Sequence, residues 1–341
     1  MRKLASIKII DGIQPIEGAD MIELAVVGGW KVVVAKDVGH KVGDHVVYCE
    51  IDSFLPIKPE FEFLRKSSFK KMGDEEGFRL KTIKLRGQVS QGLIIPIDVL
   101  LKYGISSDDV YEGLEVGDIL GIIKYEPPVP AQLAGKAKGN FPGFIQKTDE
   151  ERVQNLTRDY EEWKLQSAHQ FYAAEKLDGS SATFYLRDGQ FGVCSRNLEL
   201  LEVEDNTFWK VAREMKIEEK LRELGRNISI QGELIGEGVQ GNPYKIKGHT
   251  VRFFNVFDID AFQKLGLRDL TDIIVNTFGF QTVPIIEVPF TLPETVGDLL
   301  QMAEGKSMLN LQTEREGLVI RSLDNTISFK AISNKFLLKN E

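Results

Sequence analysis

The sequence predicts an α+β protein in two parts: a small barrel-like β domain, then a larger domain of sheets flanked by helices. Three observations carry this. Up to about residue 122, short apolar runs alternate with turn signals, as in a small barrel or sandwich. Near 119–143 the composition turns to Pro, Gly and Lys. From about 170 onward, strand-like runs alternate with helical periodicities. A length of 341 residues suits about two domains, and 42% hydrophobic with 28% charged residues is enough apolar material to bury real cores.

In the first part, Ile22-Glu23-Leu24-Ala25-Val26-Val27 reads as a strand ended by Gly28-Gly29. Lys31–Ala35 and His45–Cys49 follow, then Arg79–Leu85 and Gly92–Pro96. A barrel of this size with basic, β-rich walls resembles an OB-fold, so residues 1–122 are expected to form an OB-like domain. Arg65, Lys66, Lys70, Lys71, Arg79, Lys81, Lys84 and Arg86 lie close together with Phe69 and Phe78 among them. That is a candidate face for a nucleic-acid backbone. Glu126-Pro127-Pro128-Val129-Pro130 cannot be a central strand or helix, and the basic stretch Ala134–Asn140 reads as flexible, so 123–143 is expected to be a linker.

The second domain is expected over 144–341. Thr148-Asp149-Glu150-Glu151 reads as a capping box opening a helix over Arg152–Leu156. Phe171–Ala174 and Ala182–Leu186 read as two strands of a hairpin turning at Asp178-Gly179. A helix is expected from Asn206-Thr207 to Gly225, strands at 229–235 and 251–259, and helices near 267–278 and 293–305. Strands at 317–321 and 326–330 close the domain.

Several classes are excluded. No apolar run approaches the ~18 residues that span a membrane. The N-terminus alternates charged and apolar residues, unlike a signal peptide. Cys49 and Cys194 are far apart and suit a reducing cytosol. The four histidines show no metal-ligand spacing. A net charge of −8 argues against indiscriminate coating of nucleic acid.

The chemistry lies in six short stretches: Lys176-Leu177-Asp178-Gly179, Ser195-Arg196-Asn197, Gly232-Glu233-Leu234-Ile235-Gly236, Val256-Phe257-Asp258, Glu316-Gly317-Leu318-Val319-Ile320 and Phe329-Lys330-Ala331. Each alone is a weak signal. In this order, each at a strand or strand end, they resemble the covalent nucleotidyltransferases: ATP-dependent polynucleotide ligases and GTP-dependent capping enzymes. Among these the chain is most similar to the nick-sealing RNA ligases, with the OB-like domain placed first. The resemblance implies an α+β nucleotidyltransferase domain of antiparallel sheets flanked by helices.

It also implies roles. Lys176 would attack the α-phosphorus of ATP and carry AMP, splitting a hard transfer into easier steps. Arg196 would bind ribose or phosphate. Glu233, on an otherwise apolar strand, needs a partner for its charge, and a ribose hydroxyl or hydrated metal would serve. Asp178, Glu233 and Glu316 together suit Mg²⁺ or Mn²⁺ held largely through waters. Phe257 would stack on the purine and Val319 close its other face. Lys330 would contact the α-phosphate and, as a nearby cation, push Lys176 toward its neutral form. Glu175 and Leu177, flanking the nucleophile, count with the nucleotide-binding set, and Arg152 is a candidate for the β- or γ-phosphate. Where related ligases often carry a second lysine this chain has Ile332, so Lys335 is a possible substitute. The expected activity is joining a 3′-hydroxyl to a 5′-phosphate in RNA, or at a nick in an RNA-containing duplex, by a cytoplasmic monomer that does not bind membranes. A DNA ligase, a capping enzyme and a non-catalytic nucleic-acid-binding protein are the alternatives. The first two are disfavoured because their OB domain ordinarily follows the catalytic one, whereas here the chain is expected to end soon after Lys330.

Overall fold

The computed structural model describes residues 3–126, 135–165 and 170–340. It forms two compact units, one of Met1–Pro128, Gln154–Thr157 and Leu337–Glu341, the other of Val129–Val153 and Arg158–Phe336.

The first unit is built of short strands with short helical turns between them, among them Pro59–Leu64, Ile97–Tyr103 and Gly117–Leu120. Ala5–Ile9 and Leu93–Pro96 flank His45–Cys49 in an antiparallel sheet, and Gly12–Pro15, Ile22–Val27 and Trp30–Ala35 form a meander. A third sheet holds Ile123–Lys124, Ser53–Pro56, Glu75–Arg79 and Phe69–Met72. The core gathers Ile7, Val47, Leu55, Phe61, Phe78 and Leu100.

The strand expected over Arg79–Leu85 is two strands. Glu75–Arg79 ends where Leu80 enters the core and exchanges backbone hydrogen bonds with Asp52 and Ser53, and Thr82–Leu85 then pairs with Gln88–Gln91. The basic stretch is also less uniform than its sequence suggests. Phe78 is fully buried, Arg65 lies over the Phe69 and Phe78 rings and pairs with Glu62, and Lys71 pairs with Glu76. Arg79 stacks on Tyr125 and reaches Asp52. Lys66, Lys70, Lys84 and Arg86 are exposed, as are the carboxylate-paired Arg65 and Lys71.

In the segment expected as a linker, residues 127–134 lie outside the described residues. On either side, Ile123–Lys124 and Ala137–Asn140 are edge strands. Ala137–Asn140 is exposed throughout, so its pairing to Leu198–Leu200 needs no apolar alternation, and its composition hid it.

The second unit holds two sheets. The larger runs, in spatial order, Ala137–Asn140, Leu198–Leu200, Gln190–Cys194, Ser180–Arg187, Ile228–Gly236, His249–Asp258 and Gln263–Lys264, all antiparallel. One face packs Phe184, Ile230 and Phe253 against Trp209, Val211 and Leu221 of the helices Thr207–Glu214 and Ile217–Leu224. Asn206 caps the first helix as its position suggests, accepting from the Phe208 and Trp209 amides. The single helix expected here is broken at Lys216, which is left-handed with φ 53°. The smaller sheet runs Glu151–Arg152, Ser328–Ile332, Gly317–Ser322, Phe171–Lys176 and Ile285–Phe290, antiparallel except for its first pair.

Two expectations are corrected here. Phe171–Lys176 and Ser180–Arg187 are not a hairpin: they belong to different sheets, and Leu177-Asp178-Gly179 carries the chain from one to the other. Gly179 is required by close approach rather than by turn geometry, since a Cβ there would lie 2.5 Å from the Leu234 carbonyl oxygen. Thr148 opens no helix. Its hydroxyl bonds to that of Ser181 and Asp149 pairs with Arg196, so the segment runs on as the strand Glu151–Arg152 and the turn Val153–Asn155, and the helix begins at Thr157.

Candidate active site

Strand register decides which side chains meet. Residues directly opposite each other in a ladder share a face. Lys176 lies opposite Gly317, Val319 opposite both Ala174 and Lys330, and Arg152 beside Lys330 in the parallel pair. Lys176, Val319, Lys330 and Arg152 therefore share one face of the smaller sheet. Glu175, one residue off, points to the other. On the larger sheet Ser181 lies opposite Glu233 and Ser229 opposite Phe257, so Glu233 and Phe257 share a face.

The register also brings Glu316 beside the lysine. Gly317 packs so tightly on the next strand that a Cβ would lie 2.2 Å from the Ala331 oxygen, which explains the glycine after this glutamate. Lys176 Nζ donates to Glu316 Oε2 at 2.7 Å and lies 2.7 Å from Oε1 in the same ion pair, with 27% of the lysine side chain and 15% of the glutamate exposed. Glu233 accepts from the Gly179 amide, and the Asp178 amide donates to the Tyr244 hydroxyl at 2.6 Å.

The electrostatics follow from this crowding. Burial opposes the Lys176 ammonium, but Glu316, Glu233 and Asp178 outweigh it and raise its pKa above the ordinary lysine value. This reverses the expectation that a neighbouring cation leaves Lys176 neutral: its dominant neighbours are carboxylates. Burial, with repulsion from Glu316 and Asp178, pushes Glu233 up to about 8 against the pull of Lys176. Burial and Glu316 push Asp178 up to about 6. Three carboxylates that repel one another around an inserted ammonium form a donor set suited to a divalent cation. Among the described residues, no three His, Cys, Asp or Glu side chains are close enough together to ligate an ion directly.

The other expected residues divide. Arg152 is buried on its strand next to Lys330. Arg196, half exposed, is held by Asp149. Val319 is buried in the shared face. Phe257 is fully buried in a cluster with Ile145, Tyr185, Cys194 and Ile259, edge-on to Phe262 at 5.3 Å. Leu177 packs in the core with Tyr172, Ile235 and Tyr244. Glu175, buried and pushed up by that burial, accepts from the Met308 amide at 2.8 Å and so anchors a loop on the far side of the sheet. Ile332 is core, and Lys335, exposed, pairs with Glu304 at 2.7 Å.

Sequence reasoning missed Tyr244, whose Gly-, Asn- and Pro-rich loop reads as a plain connection. From the segment 145–152 it singled out Arg152 but did not foresee that the segment crosses the site-bearing face of the larger sheet. Ile145 packs with Phe257, Gln231 donates to the Gln146 carbonyl, Thr148 meets Ser181, and Glu150 forms a buried ion pair with Arg321 at 2.9 Å. Burial works against the Glu150 carboxylate, but Arg321 and Lys264 hold it below the ordinary glutamate range. The one sequence signal was a run of polar residues, which equally fits a helix start.

Comparison with known proteins bears on this arrangement. The profile of the RNA ligase family matches residues 169–339, and that of an OB-fold domain matches residues 4–97. Solved structures of an RNA ligase from Naegleria gruberi are similar over the whole chain. An apo form of an aspartate-to-alanine variant is 42% identical with a TM-score of 0.91, covering 99% of this chain and 98% of its own. A glutamate-to-alanine variant with AMP and Mn is 42% identical with a TM-score of 0.92, covering 99% of each chain. A lysine-to-alanine variant with ATP and Mn is 42% identical with a TM-score of 0.91, again covering 99% of each. No curated protein matches.

Proposed function

The chain belongs to the RNA ligase family, and from that premise we propose that it seals nicks in RNA or RNA-containing duplexes, with Lys176 as the residue that carries AMP. It is an ATP-dependent RNA ligase that works with Mg²⁺ or Mn²⁺ through a covalent adenylate. The observation that carries the assignment to Lys176 is its ammonium lodged on Glu316 within reach of Glu233 and Asp178.

The lysine nitrogen attacks the α-phosphorus, the bond to the β-phosphate oxygen breaks, and pyrophosphate leaves. The 5′-phosphate of the RNA then takes AMP from the lysine, and the 3′-hydroxyl displaces AMP to close the phosphodiester. Before the first attack the ammonium must lose its proton, which the three carboxylates oppose while Lys176 is their cation. Asp178, Glu233 and Glu316 would hold the divalent ion through its waters, and the ion supplies positive charge for the phosphates when bound. Lys330 and Arg152, side by side, face the phosphates and stabilise charge developing there. Arg196 leaves Asp149 to meet the nucleotide's ribose or phosphate. Val319 and Phe257 take the two faces of the adenine, and for Phe257 this requires its cluster to open.

The division of labour is part of the proposal. Residues 144–341 form the adenylating domain, while the OB-like domain over 1–122 grips the nucleic acid. Support for the second part is the run of exposed basic residues, Lys66, Lys70, Lys84 and Arg86 among them. Reversing these four charges should leave self-adenylation within about twofold but weaken nick sealing about a hundredfold at moderate salt, since each phosphate contact adds to the salt dependence. Equal sealing by variant and wild type in gel assays across a salt series would remove this surface from the reading. A reducing compartment such as the cytoplasm fits the buried cysteines Cys49 and Cys194, which form no disulfide, and no helix among the described residues is long and apolar enough to cross a membrane.

The test of the whole is incubation with α-labelled ATP and Mg²⁺ or Mn²⁺, followed by a denaturing gel. A labelled protein band that EDTA abolishes is expected, and label from GTP or NAD instead would assign a different enzyme.

A further inference from the structure

Two of the proposed metal carboxylates come from segments far apart in sequence, and the ladder between their strands stops just short of both: its last pair is Lys176 with Gly317, two residues before Asp178 and one after Glu316. Asp178 lies in the connection between the sheets and Glu316 at the end of a loop. A set of hydrogen bonds does link them. The Tyr244 hydroxyl accepts the Asp178 amide at 2.6 Å, with its ring buried among Tyr172, Leu177 and Ile235. The adjacent Pro243 carbonyl accepts from Asn310 Nδ2 at 2.8 Å and from Thr313 Oγ1 at 2.9 Å. Asn310 and Thr313 belong to the loop that ends in Glu316. That loop is pinned at its near end by the Met308 amide on Glu175 at 2.8 Å. At its far end it is held by Arg315, whose guanidinium donates to the Ala303 carbonyl at 3.1 Å and the Glu304 carbonyl at 2.9 Å. Glu233 needs no such brace, because the ladder between Ser180–Arg187 and His249–Asp258 fixes its strand.

We propose that Tyr244 is a positioning residue for the metal site: with Pro243, Asn310 and Thr313 it braces Asp178 against Glu316, and so sets how tightly the enzyme takes its divalent cation. This rests on the assignment of Asp178, Glu233 and Glu316 to the metal. The tyrosine's effect runs through the Asp178 amide, a donor left without its acceptor when the oxygen is removed. A preset spacing matters because carboxylates that repel one another drift apart unless something holds them.

The experiment uses full-length Tyr244→Phe, which keeps the buried ring and deletes only the oxygen. The Mn²⁺ concentration for half-maximal self-adenylation should rise about tenfold, the scale of one lost buried hydrogen bond. At saturating Mn²⁺ the rate should recover, and the KM for ATP should stay within about twofold of wild type. Titration of Mn²⁺ alone, followed by loss of the free-ion EPR signal, should show the same shift without any turnover. Asn310→Ala with Thr313→Val cuts the brace at its other end, so it should shift the Mn²⁺ midpoint the same way and add little on top of Tyr244→Phe. That pair also carries the test if the phenylalanine variant does not fold. An unchanged Mn²⁺ midpoint, or a changed KM for ATP with the midpoint unmoved, would overturn the proposal. A wild-type enzyme indifferent to EDTA, or a Glu233→Gln variant that binds Mn²⁺ as wild type does, would instead overturn the metal assignment beneath it.

Discussion

Lys176→Ala should give no labelled adenylate band at any ATP or metal concentration, a loss of at least about four orders of magnitude in self-adenylation, of the size seen when a covalent nucleophile is removed. Among the described residues, Lys330 is separated from Lys176 by the strand Gly317–Ser322, where it lies opposite Val319, and Lys335 is exposed and paired with Glu304. The same variant should still join a strand supplied with AMP already on its 5′ end, because that step does not pass through the lysine. Lys176→Arg should fail equally, since guanidinium stays protonated at any working pH. A pH dependence follows with a definite sign. The carboxylates around Lys176 raise its pKa, so the protonated, unreactive form is favoured, and self-adenylation should climb as pH rises from 6 through 9. The measurement is band intensity against time across that series. A normal band from Lys176→Ala would dismiss the lysine and with it the reading of the site.

Much of this site was legible because motif chemistry and strand pattern coincide. Lys176, Glu233 and Glu316 each sit at an apolar strand or its end, where a charge needs a reason, and the structure brings all of them together with Asp178. What failed to show has physical causes. An Asp-Gly pair between two strand-like runs is the usual mark of a hairpin, yet here the glycine serves close passage beneath the Leu234 carbonyl, and no local pattern separates those uses. Thr148-Asp149-Glu150-Glu151 has the composition of a helix cap, but its side chains find Ser181, Arg196 and Arg321, partners that only the tertiary fold provides. Leu177 and Phe78 illustrate a third limit: an apolar residue between functional ones is core by default, and both are buried. Tyr244 was invisible because its loop follows no periodicity, and its hydroxyl acquires a role only from where Asp178 falls.

Glu233 carries the second large effect, and it separates function from stability. Glu233→Ala should slow self-adenylation about a hundredfold, the upper end of what losing an outer contact to a catalytic metal costs, with the deficit largest at low Mn²⁺. Glu233→Gln keeps the shape and an oxygen for the Gly179 amide, but not the charge. It should be nearly as slow, yet more stable in EDTA than wild type at pH 8. The sign comes from linkage. A glutamate whose pKa is pushed from 4.5 up to about 8 by burial binds more protons folded than unfolded between those values. Wild-type stability therefore falls as pH rises from 4.5 to 8, and above 8 the folded protein retains an ionised, disfavoured carboxylate. The glutamine has no such proton to lose, so its advantage should be absent below pH 4.5, grow across that window and reach a few degrees in melting temperature. Mn²⁺ should narrow the gap by stabilising wild type more than the variant, because only wild type offers the full set of carboxylates. Thermal melts of both proteins at pH 4.5, 6 and 8, with EDTA and with Mn²⁺, test this directly. Equal melting temperatures at pH 8 in EDTA would mean that the carboxylate is comfortable where it sits. Undiminished adenylation by Glu233→Ala would place the metal on other residues.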